Sequence, residues 1–171
     1  MPTSRSSPGC PASAAPTAPA GPKVLAQTST DKTDYRFPLA IFAAPVAADV
    51  DVAVRFKPVA GEVDRAAGIA VRLSDPNNYY VVRANALEDN VRLYRMVNGR
   101  RSQFAGADAK VPSGKWQELR LLARGSRFEV FLDGKSLYSA TDTTLPAAGR
   151  VALWTKADSV TRFDDLRIQT L

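Results

Sequence analysis

From Lys23 onward apolar side chains recur at every second position. In Asp49 to Lys57, Val50, Val52, Val54 and Phe56 alternate with Asp51, Ala53, Arg55 and Lys57. Side chains of a strand point to opposite faces in turn, so this pattern predicts a strand with one face in a core. Ile69, Val71 and Leu73 repeat it, as do Leu119, Leu121 and Ala123, and then Phe128, Val130 and Leu132. Around Val151 and Leu153, and again in the closing VTRFDDLRIQTL, the same period returns.

Turn chemistry separates these runs. Asp75-Pro76-Asn77-Asn78 opens a strand-like run from Tyr79 to Asn85, and a polar corner at Glu88-Asp89-Asn90 leads to a second from Val91 to Val97. Asn98-Gly99 and Asp133-Gly134 are the dipeptides favoured in tight hairpins, because their backbones tolerate positive φ. Eight or more short strands punctuated this way predict an all-β, two-sheet antiparallel β-sandwich or barrel. No ten-residue stretch has a 3.6-residue period; Leu145 to Gly149 is expected to form one helical turn at most.

Composition narrows the functional classes. The chain has 171 residues, enough for one domain with a sizeable core. It has no histidine and one cysteine, Cys10, so a histidine-based triad, an intrachain disulfide and a cysteine-built zinc site are excluded. Its longest apolar stretch, Leu39 to Ala48, is too short to span a bilayer. The net charge of +6 raises nucleic acid as a partner. The basic residues are dispersed through the strands rather than clustered with aromatics, which argues against that partner. Residues 1–22 hold six of the twelve prolines and no aromatic, so at least 1–15 are expected to be an unstructured tail. That tail has no apolar core of the kind a signal peptide needs.

The stretches NYYVVRANALEDNVRLY, SGKWQELR, FLDGK and LWTKADSVTRFDDL resemble the concanavalin A-like, laminin-G-like jelly roll. The likeness is to its bacterial branch catalogued near glycoside hydrolase family 16 and the 3-keto-disaccharide hydrolase-like proteins. It implies two curved sheets over residues 16–171, with glycans bound on the concave one, in exported bacterial proteins. The family's first strand and export signal have no counterpart in the Pro/Ala/Ser-rich start, so the sandwich is expected to lack that strand.

Candidate chemistry follows from the strand faces. Tyr79, Arg83 and Asn85 share one side of their strand, and Trp154 and Lys156 one side of theirs. With Arg92, Tyr94 and the Glu88 corner they offer flat rings and fork-like donors and acceptors, the groups that hold sugars. The expected function is therefore non-catalytic binding of a carbohydrate or glycoconjugate, by stacking on Trp154 or a tyrosine with hydroxyls held by Arg83, Asn85, Glu88 and Lys156. Trp116 is expected in the core. A family 16 glycosidase carries Glu-x-Asp-x-Glu; the nearest match, Glu62 to Ala66, lacks the second glutamate. The alternatives are an enzyme using an unusual pair, Glu88 with Asp158, and a structural or protein-interaction module with an exposed apolar patch. No cofactor is expected, apart from a structural calcium for which the family resemblance points to Asp164.

Overall fold

The computed structural model describes residue 21 and residues 23–171. The 1–15 tail and Cys10 lie outside the described residues. Twelve strands follow in order: β1 (Leu25–Gln27), β2 (Leu39–Ile41), β3 (Val50–Ala60), β4 (Ala66–Asp75), β5 (Asn78–Asn85), β6 (Asn90–Val97), β7 (Arg100–Asp108), β8 (Gln117–Arg124), β9 (Arg127–Leu132), β10 (Lys135–Thr141), β11 (Arg150–Trp154) and β12 (Val160–Thr170). They form two six-stranded antiparallel sheets. The first runs β1-β12-β3-β8-β9-β10 and the second β2-β11-β4-β5-β6-β7. Among the described residues there is no helix, and hence none long and apolar enough to cross a membrane.

Alternation fixes which face of each strand is dry. Val50, Val52, Val54 and Phe56 of β3 meet Ile69, Val71, Val82 and Leu93 of the second sheet in one buried cluster between the sheets. Removing such side chains from water stabilises the fold by about 25 cal/mol per Å² of apolar surface. Polar networks close the two ends. At one end the Tyr80 hydroxyl donates to Asp142 (2.6 Å) and accepts from the Leu145 amide (2.9 Å), while Arg95 also pairs with Asp142. Beside it Arg72, in a bulge with φ of 51°, points its buried guanidinium at the Ala48 and Leu145 carbonyls (2.8 and 3.1 Å). At the other end both Asp158 oxygens accept the amides of Glu62, Val63 and Asp64 at 2.7–3.2 Å, holding the β3–β4 connection.

Two local expectations are corrected. Leu145 to Gly149 forms no helical turn, because Gly149 instead exchanges backbone bonds with Ala47. Trp116 is not a core residue: it is half-buried, outside both buried clusters, with the Arg55 guanidinium 6.0 Å from its ring centroid.

Candidate functional site

The second sheet turns a second set of side chains away from the core. Antiparallel register places Trp154, Gly68, Arg83, Arg92 and Gly106 in one row across β11, β4, β5, β6 and β7. The adjacent row holds Ala66, Asn85, Asn90 and Asp108. The fold therefore gathers on one face nearly every side chain singled out for binding: Tyr79, Arg83, Asn85, Arg92, Tyr94 and Trp154, with Lys156 just beyond β11.

Around the Glu88 corner the polar groups Arg83, Asn85 and Lys156 join one connected network. Arg83 donates through Nη2 to Glu88 Oε2 (2.8 Å) and Asn90 Oδ1 (2.7 Å), and Asn90 donates to the same Glu88 oxygen (2.9 Å). Asn85 donates to Asp64 Oδ1 (2.8 Å), and its own oxygen accepts the amides of Leu87 (2.9 Å) and Glu88 (3.3 Å), which shapes the β5–β6 corner. Lys156 joins Asp64 (3.2 Å) to Asp34 (2.5 Å). Arg83 Nε is buried with no hydrogen-bond partner, an unspent donor in a place where such atoms are rare.

Charge states follow from these contacts. Burial alone would raise the Glu88 carboxyl, but its bonds to Asn90 and Arg83 outweigh that and hold it below its ordinary value. Burial wins at Asp64, whose carboxyl is pushed up in spite of Lys156 and Arg83 nearby. At Asp158 burial is again opposed, and the three amides prevail, keeping its carboxyl low.

Access differs sharply across the network, and it corrects part of the expected site. Trp154 and Tyr79 are fully buried: the Phe37 ring stacks on Trp154 at 5.5 Å and 18°, and Trp154 Nε1 donates to the Tyr79 hydroxyl (3.1 Å). The stacking face expected of Trp154 is thus taken by the protein's own Phe37. Tyr94 is buried beneath Arg101 and Arg83, 4.4 and 5.4 Å from its centroid. Arg83 and Asn85 are buried too, and the Lys156 side chain is 11% exposed. Glu88 (side chain 53% exposed) and Arg92 (26%) are the predicted polar groups that remain open. Tyr35, reaching from the β1–β2 connection to bond Gly99 O and the Arg101 amide, is the one exposed aromatic ring among the described residues.

Sequence reasoning missed Tyr35, Phe37 and Asp34 as parts of this site, whereas Asn90 lies in the Glu88 corner that it singled out. All three lie in a connection with no period to read. The catalytic alternative fares poorly on geometry, since Asp158 is 3% exposed and committed to three amides. Phe37 and Leu39 pack onto the apolar half of this face. Asp164 is half-buried, opposite Arg55 in the β3–β12 pair. Among the described residues no three His, Cys, Asp or Glu gather around a common point, whereas calcium takes roughly six to eight oxygens.

Comparison with known proteins places this face in context. Residues 40–171 match the family model described as galactocerebrosidase, C-terminal lectin domain. No curated protein matches the chain. Among solved structures, the carbohydrate-binding module CBM66 from Bacillus subtilis superposes with a TM-score of 0.71 at 21% identity, over 78% of this chain and 82% of its own. The Caenorhabditis elegans galectin LEC-6 gives 0.56 at 11% identity over 91% and 93%. A Bacillus licheniformis β-glucanase gives 0.56 at 12% identity over 74% and 68%. Identities this low show the fold alone, a jelly roll of the concanavalin A and galectin type, and they do not support a place in the family 16 branch. With its family model covering most of the two-sheet sandwich, the chain belongs to the galactocerebrosidase C-terminal lectin domain family.

Proposed function

We propose that this protein is a non-catalytic carbohydrate-binding module that holds a glycan on the outer face of the second sheet, between the Glu88 corner and Tyr35. The observation that carries the reading is Glu88: a half-exposed, ionised carboxylate with a buried guanidinium and a buried amide locked onto one of its oxygens. That arrangement presents a fixed acceptor to a ligand and costs little to order, the condition for binding a flexible, well-hydrated polyol. Arg92 supplies a donor and Glu88 an acceptor for hydroxyls, while Lys156 is held below them between Asp34 and Asp64. Arg83 locks the Glu88 carboxylate and Asn85 shapes its corner from beneath, and Tyr35 takes the stacking role first assigned to Trp154.

Membership of the lectin-domain family and the likeness to the carbohydrate-binding module CBM66 support the same ligand class. The setting this reading implies is exported or at the cell envelope. A glycan-array screen of the purified chain, repeated with Glu88→Gln and Arg92→Ala, tests it. Binding to one glycan class, weakened at least about tenfold by either change, is expected, since a charge-assisted hydrogen bond contributes about 1.5–3 kcal/mol. A folded wild-type sample that binds nothing, or variants that bind as well as wild type, would overturn it.

A further inference from the structure

The outer face of the first sheet carries a second polar recess, of about 280 Å³, on the opposite side of the sandwich from Glu88. Register builds it. Arg167, Ala53, Arg120 and Phe131 form one row across β12, β3, β8 and β9, and Gln169 stands opposite Asp51 in the flanking row. Ala53 has no side chain beyond Cβ, so it leaves a floor between two long arginines.

Ion pairs tie the walls together. Arg120 grips Asp51 with both ends of its fork (2.8 and 2.6 Å) and lies 4.8 Å from the Phe131 centroid, while Arg167 pairs with Glu118. Two guanidiniums face two carboxylates, so the lining is charge-balanced and favours neither an anion nor a cation. It still has capacity to spare: Glu118 uses one side-chain oxygen, and the Gln169 amide meets no protein partner among the described residues. Spare donors and acceptors side by side, in a charge-balanced recess, suit a neutral polyhydroxylated ligand.

We propose that this recess is a second saccharide site, which makes a single copy of the chain bivalent for glycans. The inference rests on the carbohydrate-binding reading for the ligand class, though its residues are separate from those around Glu88. Two sites on opposite faces cannot engage one short glycan, so they would cross-link separate chains and gain avidity only on a multivalent surface.

The test is a titration of the ¹⁵N-labelled chain with neutral disaccharides (lactose, maltose and cellobiose) and with any glycan found on the array, read by amide shifts. Saturable shifts at Asp51, Ala53, Glu118 and Gln169 are expected. They are abolished by Ala53→Leu, which fills the floor from the solvent side, and weakened about threefold or more by Gln169→Ala. They persist in Glu88→Gln. Unchanged dispersion elsewhere in the spectrum establishes that each variant is folded. Shifts confined to the surroundings of Glu88, or shifts on the first sheet that survive Ala53→Leu, would overturn the second site and leave the first reading intact. Shifts on neither face would remove both.

Discussion

Asp158 illustrates how a single side chain can hold a candidate site from outside it. Its carboxylate gathers the amides of Glu62, Val63 and Asp64, and so fixes the connection from which Asp64 reaches Asn85 and Lys156. Removing it strands three amides whose geometry was set by one acceptor. Asp158→Ala is expected to cost about 3 kcal/mol, and about 5–12 °C in melting temperature. Glycan binding at Glu88 should weaken as well, because Asn85 loses the fixed position of Asp64. A variant that melts within about 2 °C of wild type would show that water replaces the carboxylate at no cost. The buried ring of Trp154 teaches the complementary lesson: a residue type suited to sugar stacking has been used for packing, and its Phe37 partner was visible only once the chain was folded.

At the level of elements, β4 and β7 each contribute a glycine to the row that contains Arg83 and Arg92, and the two differ in what they permit. A Cβ on Gly68 would stand 2.7 Å from the Val82 carbonyl oxygen and 3.1 Å from the Trp154 ring, both fixed by the sheet. A Cβ on Gly106 would meet chiefly Cδ of Arg92, at 2.4 Å, in a side chain that can give way by loosening its ion pair with Asp108. Gly68→Ala should therefore destabilise by about 2–3 kcal/mol in chemical denaturation. Gly106→Ala should cost under about 1 kcal/mol, yet shift Arg92 and weaken glycan binding. Equal stability losses in the two variants would contradict this account.

Elements of this kind were largely legible in the sequence. β3, β5, β6, β8 and β9 follow directly from alternation, and the Asn98-Gly99 and Asp133-Gly134 turns lie where hairpin chemistry puts them. Co-facial placement of Tyr79, Arg83 and Asn85 was equally readable, because it depends only on period two. The short edge strands β1 and β2 and the connection carrying Asp34 to Phe37 were not. Three residues show no period, and what they cover is decided by a partner more than a hundred positions away, as Arg36 is by Ala157.

For the molecule as a whole, the buried ionisable groups at the two ends and on the outer face set a stability window in pH. On the acid side Asp158, Asp142 and Glu88 are held below their ordinary values, burial being outweighed by their hydrogen bonds in each case. The unfolded chain takes up these protons first, so the stabilisation is complete above the ordinary carboxylate range and drains as pH falls through the folded values. Asp64 runs the other way, since its raised carboxyl is protonated earlier in the fold, and it offsets part of the loss. On the alkaline side burial pushes Tyr79 and Tyr80 up to about 12, with the bond to Asp142 adding to the effect at Tyr80, and burial raises Tyr138 as well. The unfolded chain loses these protons near the ordinary value of 10, so stability declines as pH rises from there towards the folded values. Melting temperatures measured across the pH range should form a plateau between roughly 5 and 10 with two falling limbs. Phenolate absorbance from Tyr79, Tyr80 and Tyr138 should emerge only together with loss of the β-sheet circular dichroism signal. If all the phenolate absorbance developed while that signal stayed intact, the three hydroxyls would be open to solvent, and the sealed ends of the sandwich would need another explanation.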